Sequence, residues 1–102
     1  MDAPKEFMEF VQQNPACYSI MRSPVHMAVV KSLAQGAKGK IQLMRAFPQV
    51  EMSDLELILE SLFEAGLVNK MRVASSEMYY LNEKGKAFLG VFEKAKTSML
   101  GT

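Results

Sequence analysis

The feature that most constrains this chain is a change of hydrophobic period at Gly66. Before it, Leu55, Leu59 and Leu62 recur at the three- and four-residue spacing of one helical face. Gly66 then offers the left-handed conformation that ends a helix. After it, Leu67 to Ala74 and Met78 to Asn82 read as two strands joined by a polar tip, Ser75-Ser76-Glu77. Asn82 caps a final helix in which Phe88, Leu89, Phe92, Ala95 and Met99 form an apolar stripe.

Upstream, helical signals recur in short segments. Pro4, Phe7, Met8, Phe10 and Val11 have helical spacing over residues 4–13, and Asn14-Pro15 reads as a stop. Residues 15–22 read as an apolar connector. Ser23-Pro24 starts the next helix with a capping hydroxyl and a first-turn proline. Met27, Val30, Leu33 and Ala34 share its inner face. Gly36 to Lys40 reads as a flexible turn with two positive charges. Ile41 to Phe47 follows as a short helix with Leu43, Met44 and Phe47 inward. Ser53 and Glu56 have the spacing of a capping box at the start of the leucine-spaced helix. The expected fold is a single α+β domain over residues 1–102, mostly helical. Three short helices lead into a two-stranded wing, with additional N- and C-terminal helices.

Composition excludes several alternatives. Hydrophobic residues make up 49% of the 102, enough for a packed core. Cys17 is the only cysteine and His26 the only histidine, so neither an internal disulfide nor a nitrogen–sulfur metal site can form. The expected state of Cys17 is a buried free thiol. No phosphate-cradling glycine loop or nucleophile elbow is present, and the expectation is a non-enzyme without cofactor. No apolar run is long enough to span a bilayer, and no signal-peptide pattern opens the chain, so the expected location is the cytoplasm.

Two stretches carry a family likeness. Leu59-Glu60-Ser61-Leu62-Phe63-Glu64-Ala65-Gly66-Leu67-Val68 resembles a recognition helix turning into a wing. Tyr79-Tyr80-Leu81-Asn82-Glu83-Lys84-Gly85-Lys86-Ala87-Phe88-Leu89 resembles a second wing strand entering the last helix. Over roughly residues 24–92 the chain is similar to MarR-like and ArsR-like winged-helix transcriptional regulators. The resemblance implies a dimer that binds double-stranded DNA, with the helix beginning near Ser53 in the major groove.

The residues themselves divide between two partners. Lys38, Lys40, Arg45, Lys70 and Arg72 flank the reading helix and suit backbone phosphates, with Ser53 and Glu56 on the helix itself. Yet residues 51–66 contain Glu51, Asp54, Glu56, Glu60 and Glu64 and no lysine or arginine, and the formal net charge is only +1. Carboxylates repel phosphate, and their one good base-edge partner is the cytosine amino group. Asp54, Glu56, Leu57 and Ile58 therefore form an alternative patch for a protein partner. A homodimer is expected through residues 4–13 and 86–99, using Phe7, Phe10, Val11, Phe88, Leu89, Phe92 and Met99.

Overall fold

The computed structural model describes residues 3–100, with side chains described for residues 5–97. Six helices and one hairpin follow in the order α1 (Ala3–Gln13), α2 (Ala16–Met21), α3 (Pro24–Ala34), α4 (Lys40–Ala46), α5 (Met52–Glu64), β1 (Val68–Val73), β2 (Ser76–Leu81) and α6 (Glu83–Leu100). This is the winged helix: α3, α4 and α5 form the helical core, and the antiparallel β1–β2 hairpin is the wing.

The core is built where the period indicated. Leu55, Leu59 and Leu62 of α5 are buried, as are Met27, Val30 and Leu33 of α3 and Leu43 of α4. Val68, Tyr79 and Leu81 close the base of the wing over them. Gly66 has φ +79, and the amide of Leu67 donates to the Leu62 carbonyl at 3.0 Å, the wrap-around bond of a left-handed helix end. Asn82 caps α6 as expected, its Oδ1 accepting the Gly85 amide at 2.8 Å. Its Nδ2 donates to the Gly66 carbonyl at 2.9 Å and also pairs with Asn69. One side chain thus ties the end of α5, the wing and the start of α6. Gly85 sits so close to this junction that a Cβ there would lie 2.3 Å from the Leu67 carbonyl oxygen.

Several boundaries differ from the sequence reading, each for a local reason. Residues 15–22 are not a plain connector. Pro15 has helical φ and ψ, so the chain turns a corner and resumes as α2, burying Cys17 and Ile20. Ala34 faces solvent, and Val29 takes its place in the core. The leucine-spaced helix begins at Met52, because Glu51 already has extended dihedrals and its carbonyl accepts from Leu55 at 2.9 Å. Ser53 is therefore inside the first turn, and the Ser53–Glu56 capping box does not form. The wing tip is the two-residue turn Ala74-Ser75, since Val73 pairs with Ser76. Gly36 to Lys40 is also not a free turn. Lys38 exchanges backbone hydrogen bonds with Tyr79, at 2.9 Å and 2.8 Å, and adds a one-residue bridge to the wing's outer edge.

The terminal helices pack on each other. Phe10 stacks near Phe88 with centroids 5.9 Å apart, and Phe7 meets Phe92 at 6.4 Å. Phe88 is fully buried. Ion pairs Lys94–Glu6 at 3.8 Å and Lys31–Glu93 at 3.5 Å clasp the rim.

Candidate nucleic-acid interface

Helix α5 presents one face to the core and leaves the other bare. With Leu55, Ile58, Leu59 and Leu62 inward, helical geometry points Ser53, Leu57, Glu60 and Glu64 directly outward. Leu57 is 63% exposed, a large apolar side chain at the centre of an otherwise polar row. Asp54 and Ser61 line one flank, toward α3; Glu56 and Phe63 line the other, toward the wing.

The basic residues named from sequence are not all free. Lys38 turns inward to the end of α3, its ammonium donating to the Ser32 carbonyl at 2.6 Å. Lys40, at the start of α4, reaches across to α5 and pairs with the Glu56 carboxylate at 3.2 Å. That hydrogen bond is the main reason its pKa is raised above the ordinary lysine value. Lys70 on β1 lies over the Phe63 ring, 5.2 Å from its centroid. Arg72 stands exposed on the same strand opposite Glu77, and Arg45 is exposed in the last turn of α4. Arg45 and Arg72 make no ion pair among the described residues.

Two clefts flank α5. The wing-side cleft, about 380 Å³, is lined by Lys40, Glu56, Glu60, Phe63, Lys70 and Tyr79. Tyr79 is almost buried, which raises its pKa, and its hydroxyl donates to Glu77 at 3.2 Å. The other cleft, about 470 Å³, runs between the start of α3 and α5, with Val25, Val50, Leu57 and Ile58 apolar and Asp54 among its polar residues. Of the expected protein-binding patch, Asp54, Glu56 and Leu57 are exposed, whereas Ile58 is only 7% exposed and serves as part of the cleft wall. Sequence reasoning missed Val25 and Tyr79 here because each arrives from an element far away in the chain, and Val50 because nothing in the loop before α5 marks it as turned toward the cleft.

His26 lines the second cleft. Its Nδ1 lies 2.7 Å from the Ser23 hydroxyl, and that same oxygen accepts the His26 amide at 3.3 Å. Burial lowers its pKa below the ordinary histidine value. Burial likewise raises the pKa of the Cys17 thiol.

Of the residues expected at a dimer interface, Phe7 and Phe88 are buried within the protomer, while Phe10, Val11, Leu89 and Phe92 are partly exposed. The side chain of Met99 lies outside the described residues. Among the described residues, no three His, Cys, Asp or Glu side chains group to hold a metal ion. Among the same residues, no helix is long and apolar enough to cross a membrane.

No protein-family model matches the chain, and no curated protein matches it. Solved structures do. The reduced form of the transcriptional regulator YodB from B. subtilis superposes with a TM-score of 0.73 at 20% identity, covering 81% of this chain and 84% of that one. The transcriptional regulator HlyU from Vibrio vulnificus CMCP6 gives 0.67 at 21% identity, covering 88% and 94%. At such identities the likeness establishes the winged-helix fold.

Proposed function

We propose that this protein is a cytoplasmic DNA-binding transcriptional regulator that acts as a homodimer. The observation that carries the reading is the uncovered outer face of α5 beside a wing, on a fold shared with two transcriptional regulators. In this reading α5 enters the major groove, while Arg45, Arg72 and, once released, Lys40 and Lys70 contact phosphates. Lys38 serves the fold, since its ammonium is spent on the end of α3. Leu57 meets a thymine methyl, and the carboxylates of α5 select cytosine over guanine at the positions they face.

A protein partner is the second reading, favoured by one observation: Leu57 stands 63% exposed beside the apolar cleft that holds Val25 and Val50. Apolar centres rimmed by polar groups suit a protein surface.

Fluorescence anisotropy with a random-sequence duplex at low salt tests the first reading. Binding should weaken steeply as salt rises. Arg45→Glu and Arg72→Glu should each weaken it and flatten the salt slope by about 0.9 for each phosphate left without its cation. No binding at micromolar protein, or binding indifferent to both substitutions, overturns it. Leu57→Glu adds the counter-test: loss of a captured protein with unchanged DNA affinity favours the second reading.

A further inference from the structure

The ion pair between α4 and α5 has a consequence for affinity, and it rests on the DNA-binding reading. We infer that Glu56 is an internal stand-in for phosphate: its carboxylate occupies the Lys40 ammonium, and DNA must displace it to use that charge.

Three observations converge on this. Lys40 is drawn from the start of α4 across to α5 and meets Glu56 at 3.2 Å, on the wall of the cleft between reading helix and wing. Both partners remain accessible, at 35% and 51% side-chain exposure, so an incoming anion reaches the ammonium without unfolding anything. The neighbouring cation in the cleft, Lys70, is also engaged internally, over Phe63. An exposed pair of this kind is weak, because solvent screens it and two long side chains must be held in place. A carboxylate therefore fills the position while DNA is absent and gives way to a backbone phosphate, drawn by the dense charge of the duplex and the counterions its neutralisation releases.

Glu56 consequently sets how tightly the protein binds DNA in general. It differs from Glu60, which lines the same cleft and makes no ion pair among the described residues. Removing either charge lessens repulsion of DNA; only removing Glu56 also frees a lysine. The two effects separate in a double-mutant cycle.

The experiment measures anisotropy of a fluorescein-labelled random-sequence duplex across a salt series, for wild type, Glu56→Gln, Glu60→Gln, Lys40→Gln and the Glu56→Gln/Lys40→Gln double variant. Glu56→Gln should raise affinity about two- to fivefold at low salt, the scale of an exposed ion pair. Its salt slope should stay that of wild type, because Lys40 reaches the same phosphate in both complexes and only the cost of displacing the carboxylate is gone. Glu60→Gln should give a smaller gain and no change of slope. In the Lys40→Gln background the gain from Glu56→Gln should shrink to that of Glu60→Gln. Equal gains in both backgrounds, or none in either, overturn the inference while leaving DNA binding intact. Absence of binding by every variant overturns the DNA reading with it.

Discussion

At the scale of single residues, His26 carries a pH dependence whose sign follows from its surroundings. The Ser23 hydroxyl accepts the His26 amide and lies within hydrogen-bonding distance of Nδ1. A neutral ring with a bare Nδ1 completes this arrangement by accepting the hydroxyl proton. Protonation turns Nδ1 into a donor, leaving two N–H groups aimed at one oxygen. Burial also disfavours the charged ring, and the folded-state pKa is lowered from 6.5. The unfolded chain therefore binds the proton more readily, and folding stability rises with pH through this window. The contribution is whole above pH 6.5 and is lost as pH falls through the lower folded value. Urea midpoints should drop between about pH 7.5 and about 5.5 more in wild type than in His26→Gln, whose midpoint change in that window should be flatter. Equal drops would show that His26 does not set this dependence. Only the Ser23 cap was legible beforehand: a lone histidine two residues into a helix shows nothing of the groove that buries it.

At the scale of elements, local chemistry was readable and long-range geometry was not. Periodic burial was readable because Leu55, Leu59 and Leu62 share a face whatever surrounds them. The Gly66 turn and Asn82 cap were readable because their chemistry is local. Ser53 misled, because Ser-x-x-Glu spacing describes a box only when serine adopts extended dihedrals, and here Glu51 does so instead. Helix α2 was hidden because Pro15 suits a first turn as well as a stop. The Lys40–Glu56 pair was invisible for a different reason: 16 residues separate the partners, and only the crossing of α4 over α5 joins them. The two serines give a direct comparison. Ser23 has φ −104 and ψ 111 and accepts from the His26 amide, so it is a working N-cap. Ser23→Ala should cost about 1 kcal/mol of folding free energy. Ser53→Ala, at an exposed position within the first turn, should stay within about 0.5 kcal/mol. Chemical denaturation of both variants checks the contrast, and a larger loss for Ser53→Ala would restore the capping box.

At the scale of the whole molecule, the proposed dimer through α1 and α6 has only what these helices leave uncovered after packing on each other. The protomer is elongated, 46 × 25 × 21 Å, with a radius of gyration of 14.0 Å against about 13 Å for a compact chain of this length. The four phenylalanines of the two helices are largely spent inside it: Phe88 is wholly buried and Phe7 nearly so. The proposed dimer would then use the outer surface of the same helices, where Met8 is 55% exposed and Val11 partly so. This changes which substitutions are informative. Phe88→Glu should unfold the protomer, since it places a charge where nothing pairs with it. Met8→Glu should leave the fold intact, with an unchanged circular dichroism spectrum, and dissociate the dimer. Light scattering should show wild type at twice the 11.4 kDa chain mass and Met8→Glu at that mass. DNA affinity should fall with it, because in the proposed dimer two reading helices about 34 Å apart would bind successive grooves together, whereas a monomer engages a single groove. A wild-type protein that scatters as a monomer at micromolar concentration removes the dimer. A dimer untouched by Met8→Glu moves the interface away from α1.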